Sequence, residues 1–386
     1  MPLYPLYALL FADAGLNGAQ ISALFAIWSA VAVVAEVPTG MIADRYSRRG
    51  AVVASSLLQA AAFALWVLAP GFATFAAGFA LWATGGAFAS GAFEALLFDG
   101  LDGAGARKLY PKVLGRVEAA ALAAQVPAAL AATSLFPVGG FGLVGAASVT
   151  MCLLAAILAA RLPASRALPP SGRSAMTSHR PDPGNEPRTA LHDVVNEVRT
   201  TVARRGVRGA VVLVALLLAI DGLEEYFPLL AADRGVPTAW VPLAVLAVPL
   251  AGALGAWLGG RAGHLAVTRL ALLLAVGAVL LAVVEQIAHP AGVAVIAAFY
   301  GIYQAVRVVS EARLQELIPS AHRASVTSVA GVGSEVATLA VYGTFAIGGT
   351  TAVAAGVMLL AVALPPLLGG RDHHRAPVAR PTRPTS

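Results

Sequence analysis

Charge is what this chain lacks most. Only 12% of its 386 residues are charged, against 58% hydrophobic, whereas soluble domains carry about 25% charged residues. So little polar surface cannot cover a water-soluble fold. Cysteine is nearly absent too: Cys152 is the only one and lies in an apolar run, which excludes a disulfide pair and a cysteine metal site. No His, Cys and carboxylate cluster has metal-ligand spacing, and no nucleophile stands with a base, so neither a metal nor an enzyme activity is expected. His264, His289, His373 and His374 fall in loops or the tail. The Gly-x-x-x-x-Gly-Lys-[Ser/Thr] phosphate loop is missing, which leaves drive by ATP unsupported. The first residues lack a basic region followed by a small-residue cleavage site, so the opening apolar run reads as a helix that stays.

What is present is run after run of about 20 apolar residues, the length that carries a helix across a bilayer core of about 30 Å. Lipid admits only helices or closed barrels, and the alternating segments of a barrel are absent. The sequence predicts an all-α polytopic membrane protein with twelve spans, at 1–13, 19–40, 51–69, 72–98, 116–136, 138–160, 209–231, 238–260, 266–288, 291–312, 324–346 and 351–369. The first reaches only about 20 Å, so helix 1 is expected to be partly missing or to start further upstream.

The net charge of +6 sits in short loops between apolar runs, which argues against a nucleic-acid partner. Placing 41–50 in the cytoplasm leaves only Arg234 in an outer loop and Arg307 inside a span, with the other 24 of 26 cations at or near the inner face. That is the bias expected of a multi-pass protein of the inner cell membrane with both termini cytoplasmic. The division is then a bundle over 1–160, a linker over 161–208, a second bundle over 209–370 and a disordered tail over 371–386. The linker begins rich in Pro, Ser and Arg. Its second part carries Leu191, Val194, Val195, Val198 and Val202 at helical spacing, and is expected to lie as an amphipathic helix on the inner leaflet.

Between spans 2 and 3 stands "GMIADRYSRRG", a Gly-x-x-x-Asp-Arg-x-x-Arg-Arg pattern at Gly40, Asp44, Arg45, Arg48 and Arg49. With twelve spans split six and six, the chain resembles the major facilitator superfamily over nearly its whole length. That family usually has Gly where Ser47 stands. The resemblance implies two six-helix bundles related by a pseudo-two-fold axis and a secondary transporter working by alternating access. The loop after span 8, "GAWLGGRAGH", is the degenerate echo: Gly255 matches Gly40, and Gly259 replaces Asp44. By resemblance, Asp44 and its arginines latch the cytoplasmic side shut. Asp44 against the N-terminal end of helix 11 would gain about 0.3–1 kcal/mol, and Gly40 would permit a close helix approach. Setting topology is the plainer use of the arginines. Glu36, one turn before Gly40, joins this group by a gate contact to helix 11 or by a buried structural hydrogen bond.

Ionisable side chains at bilayer depth are costly and default to functional candidates. On span 7, Asp221, Glu224 and Glu225 stand at i, i+3 and i+4 and are expected to share one helix face. Crowded and buried, at least one could exchange a proton near neutral pH. For the glutamates, approach to the outer headgroups is the plainer reading. On span 10, Tyr300, Tyr303, Gln304, Arg307 and Glu311 form a stripe, in which Arg307 and Glu311 could simply neutralise one another. Span 4 brings Ser90 and Glu94, and span 11 brings Glu335, Thr338 and Tyr342.

By resemblance helices 1, 4, 7 and 10 line the cavity, so Glu94, Asp221, Gln304 and Arg307 face it and Glu335 joins from a flanking helix. Tyr4 and Tyr7 are cavity aromatics or interfacial anchors. Glu285, at the end of a peripheral helix, receives no role. Acids outnumber bases here, so the expected activity is proton-coupled efflux of a small amphipathic or cationic compound. Proton-coupled import and a non-transporting receptor or scaffold are the alternatives. Helix 5 offers only Gln125, Val126 and Pro127 where drug antiporters of the family often carry Gly-Pro-x-x-Gly-Gly, so that motif does not support export. No cofactor beyond a proton gradient is expected, and the partners are a small-molecule substrate, protons and the bilayer around a monomer.

Overall fold

A computed structural model describes residues 1–45, 47–162, 200, 203–318 and 323–368, the side chains at 37, 44, 91, 111, 118, 205, 323–325 and 328 aside. Among these residues every regular element is a helix, as lipid requires of a chain that must satisfy its own backbone. A 3-10 turn at Tyr4–Leu6 leads into α1 (Tyr7–Asp13), followed by α2 (Gly18–Arg45), α3 (Arg48–Leu68), α4 (Phe72–Gly103), α5 (Tyr110–Ala123) and α6 (Gln125–Ala160). The second half holds α7 (Arg205–Ala219), a 3-10 segment at Ile220–Tyr226, α8 (Phe227–Asp233), α9 (Val241–Val245), α10 (Ala247–Arg261), α11 (Val267–Val284), α12 (Gly292–Leu317) and α13 (Arg323–Leu368). Of the expected linker only 161–162, 200 and 203–208 are described, and the amphipathic helix and the tail 371–386 lie outside the described residues.

Local chemistry sets the ends. Asn17 and Gln20 form a reciprocal box at the start of α2, Asn17 Oδ1 accepting from the Gln20 N–H at 2.9 Å and Gln20 Oε1 from the Asn17 N–H at 3.0 Å. Ser47 caps α3, its Oγ accepting from the Gly50 N–H at 3.0 Å, a bond glycine could not make. Helices α2, α4 and α12 end at 45, 103 and 317, about a turn past the apolar runs that predict them, because solvated polar side chains do not interrupt a helical backbone.

Nine stretches among the described residues are long and apolar enough to cross a membrane. Two of them, Lys112–Ala160 and Val329–Leu368, are each divided by a Gly-Gly break. The count of twelve depends on taking both pieces of each, plus the short N-terminal helix. The breaks share one geometry. Gly139 and Gly140 have φ/ψ of −145/20 and 55/−152, and Gly348 and Gly349 have −141/21 and 58/−153. The second residue of each pair lies where essentially only glycine goes, so the two halves turn from one helix to the next in the same way.

The halves meet along α2 against α13, α1 against α8, and α6 against α9. The seam is closed at the end opposite the arginines. Tyr226 Oη donates to Ser22 Oγ at 2.7 Å, and Phe25 packs edge-on against Tyr226 and tilted against Tyr342. Further along α2, Ser29 Oγ donates to Glu335 at 3.4 Å. Beyond it, toward the arginine-rich end, Glu36 and Glu94 are exposed. Charged groups at that depth favour water over lipid, which sets Glu36 and Glu94 toward the aqueous side of the arginine-rich end.

Candidate functional site

Four donors from α12 converge on one carboxylate. Tyr300, Tyr303, Gln304 and Arg307 recur at helical spacing and so share one face, the stripe that the sequence predicts. Asp221 Oδ1 accepts from Tyr303 Oη at 3.0 Å, Tyr300 Oη at 3.2 Å and Gln304 Nε2 at 3.4 Å, and Oδ2 accepts from Arg307 Nη1 at 3.0 Å. The Tyr303 proton has a second acceptor, the Leu217 carbonyl at 2.8 Å. Gln304 Nε2 also donates to Tyr300 Oη at 2.7 Å, while Gln304 Oε1 is buried with no partner among the described residues. Arg307 Nε also pairs with Glu311 at 3.9 Å, so the guanidinium is shared between Glu311 and the shorter pair with Asp221.

The three acids of span 7 do not share a face. Residues 220–226 form a 3-10 segment, in which side chains three apart eclipse and those four apart diverge. Asp221 and Glu224 accordingly both reach the Tyr300 hydroxyl, whose one proton they share. Glu225 is turned away and makes no hydrogen bond among the described residues. The close approach of this segment to α13 needs Gly222, where a Cβ would stand 2.8 Å from Thr338 Cγ2.

Glu224 and Glu225 line a cavity of about 300 Å³ between the halves, at the low end of ligand-pocket size. Tyr4 and Tyr7 of the N-terminal helix, Gln125 of α6, Phe227 and Tyr300 complete its polar and aromatic walls, and none of the lining residues is basic. Tyr4 and Tyr7 are thus cavity aromatics and not interfacial anchors. Tyr7 is also buried against Phe11, Phe25, Trp66 and Phe79.

The remaining acids lie apart. Glu335 accepts from Ser29 across the seam. Glu36 is exposed and accepts from Ser90 Oγ of α4, in its own half, at 3.2 Å. Glu94 is exposed and makes no hydrogen bond among the described residues. In the motif, Arg48 Nη1 pairs with Asp99 at 2.5 Å and Arg49 Nη1 donates to the Leu162 carbonyl at 3.2 Å. Both contacts tie α3 to its own half. Arg45 is exposed, and the latch expected of Asp44 lies outside the described side chains. Gly40 supports no close approach here, since a Cβ would meet nothing within 4 Å. Its counterpart Gly255 does, with the Gly301 carbonyl occupying the place of a Cβ.

Sequence reasoning misses Asp99, Ser22, Ser29 and Tyr226. Ser22, Phe25 and Ser29 stand at i, i+3 and i+7 of one helix, a readable face, whereas the Asp99 partner of Arg48 is visible only in three dimensions. No group of three or more His, Cys, Asp or Glu among the described residues could hold a metal.

A sequence model described as the Major Facilitator Superfamily matches residues 1–342. No curated protein matches the sequence. Among solved structures the chain is similar to the POT family transporter PepTSo, with 16% identity, a TM-score of 0.65 and 95% of this chain and 94% of that chain covered. It is also similar to a D-xylose-proton symporter, with 16% identity, a TM-score of 0.63 and 94% and 91% covered. A third is a point mutant of the nucleoside transporter NupG, with 13% identity, a TM-score of 0.65 and 95% and 93% covered. At these identities the likeness establishes the fold.

Proposed function

The chain belongs to the major facilitator superfamily, and from that premise we propose that it exports a small cationic or amphipathic compound by alternating access, driven by protons. The observation that carries this reading is the cavity between the halves, whose lining includes Glu224 and Glu225 and no basic residue. Aromatic faces from Tyr4, Phe227 and Tyr300 line the same space, and such faces attract organic cations. A cation and protons would compete for the same carboxylates, which couples their movements in opposite directions. Glu224 and Glu225 are the exchanging groups. Asp221, neutralised by Arg307, joins the two helices whose relative position senses that exchange. Glu94 and Glu335 lie along the opening and act as secondary proton sites.

We take the arginine-rich end as cytoplasmic and the conformation, closed at the opposite end by Tyr226, Ser22 and Phe25, as inward-facing. Gly40, Asp44, Arg45, Arg48 and Arg49, with Glu36, would then form the latch that closes this side when the cavity faces out. The test is flux of a lipophilic fluorescent cation into everted vesicles under an imposed pH gradient, comparing wild type with Glu225→Gln and Asp221→Asn. Gradient-driven accumulation that falls at least about ten-fold in Glu225→Gln is the expected result. Flux of the opposite sign would assign import, and no gradient-dependent flux in wild type across a panel of cations and neutral solutes would overturn transport itself.

A further inference from the structure

A second cavity faces lipid. It measures about 380 Å³ and lies over α12 between α10 and α11. Leu254 and Leu258 of α10, Leu270 and Leu273 of α11, and Ala298 and Ala305 of α12 are among its lining, all of which is apolar. Water has no partner in such a groove and an empty one forfeits dispersion contacts, so in a bilayer a hydrocarbon must fill it.

Its length says which hydrocarbon. The α10 wall runs from Ala251 to Ala262, which at 1.5 Å per residue is about 16 Å. Half of a hydrocarbon core of about 30 Å is about 15 Å. The groove therefore spans one leaflet, the one on the arginine-rich side, and ends where headgroups begin.

That end is cationic. Arg261 closes α10 with its guanidinium 3.7 Å from the centre of the Trp257 ring, a posture suited to the interface. Arg269 is exposed in the first turn of α11. Neither forms an ion pair among the described residues, and 247–284 contains no acid. Arg313 fixes the connecting loop by donating to the Gly263 carbonyl at 3.3 Å and to the Leu265 carbonyl, so the rim is preformed. Glu316 lies well past Val309, the last lining residue of α12.

We infer that this groove is a binding site for one anionic phospholipid, its acyl chain lying along α12 between α10 and α11 and its phosphate held by Arg261 and Arg269. The site lies behind the candidate cavity. Gly301 and Ala305 on its floor are on the same helix as Tyr300, Tyr303, Gln304 and Arg307, whose side chains point the other way onto Asp221. A seated lipid would set how closely α10 and α11 flank that helix.

Native mass spectrometry of the full chain released from nanodiscs with equal phosphatidylglycerol and phosphatidylcholine of identical chains tests the site. Wild type should retain one phosphatidylglycerol in preference to phosphatidylcholine, each arginine contributing about five-fold. Arg261→Gln with Arg269→Gln should erase the preference. Ala298→Trp, which fills the groove from an exposed position, should lose the retained lipid, while Leu272→Trp on the open lipid face should keep it. Retention of both lipids equally or of neither by wild type overturns the inference, as does unchanged preference in the double arginine variant. Should Ala298→Trp not fold, the arginine variant decides alone. None of these readouts depends on transport.

Discussion

Asp221 takes hydrogen bonds from four side chains, whereas Glu225, four residues on, takes none among the described residues. Two acids in one short segment thus have opposite surroundings: one is held by donors from α12 and the other lines the cavity between the halves. Glu285, the residue that follows α11, shows a third arrangement. Its carboxylate sits at the start of the helix that follows the second Gly-Gly break, accepting from Thr350 Oγ1 at 2.5 Å, from the Thr351 N–H at 3.1 Å and from Thr351 Oγ1 at 2.5 Å. It caps a helix N-terminus from a neighbouring helix. Burial works to raise the Glu285 carboxyl, but the bonds from Thr350 and Thr351 outweigh it and hold the group below the ordinary carboxylate range. A depressed folded value means stability that is complete above the unfolded value of about 4.3 and lost as pH falls through the folded one. Glu285→Gln should therefore lower the melting temperature at pH 7, and the gap from wild type should shrink once the pH drops below about 4. A gap that is constant with pH would remove the carboxylate's charge from the account.

At the scale of elements, departures from the plain helix mark the places with a special task. The 3-10 segment at Ile220–Tyr226 splits the acids, and the two Gly-Gly breaks turn the chain back across the bilayer. Alanine at the second glycine of each break tests the equivalence. Gly140→Ala meets nothing within 4 Å, so its cost is backbone strain alone, about 1–3 kcal/mol. Gly349→Ala adds a Cβ only 2.8 Å from Glu285 Oε1, so it should cost more and disturb the cap as well. Thermal unfolding in detergent measures both, and a neutral Gly140→Ala would show that the break does not constrain the backbone as described.

At the scale of the whole molecule, few of the polar bonds among the described residues join the two halves, so one of them can weigh on the conformational balance. The Tyr226 to Ser22 bond closes the seam opposite the arginines, and Phe25 fills the space beside it. Removing one such bond is worth about 0.5–1.5 kcal/mol. Tyr226→Phe should keep the ring packing and shift a two-state balance several-fold toward opening at that end. Spin labels at exposed Ala14 and Trp240, one in each half, should then show a larger long-distance population. An unchanged distance distribution would mean that the aromatic packing alone keeps the seam shut.

The sequence by itself determined that the chain crosses a membrane as helices, and that Tyr300, Tyr303, Gln304 and Arg307 share a face. Apolar length and helical periodicity are local properties, and local properties are legible along the chain. Tertiary structure alone decided that Asp221 is the acceptor for that face, that Glu225 points elsewhere, that Arg48 meets Asp99 and that Glu285 caps a helix 65 residues away. Each of these is a choice of partner across helices. Lipid supplies no preference among such partners, so only the packing of small residues and the local winding of the backbone could make it.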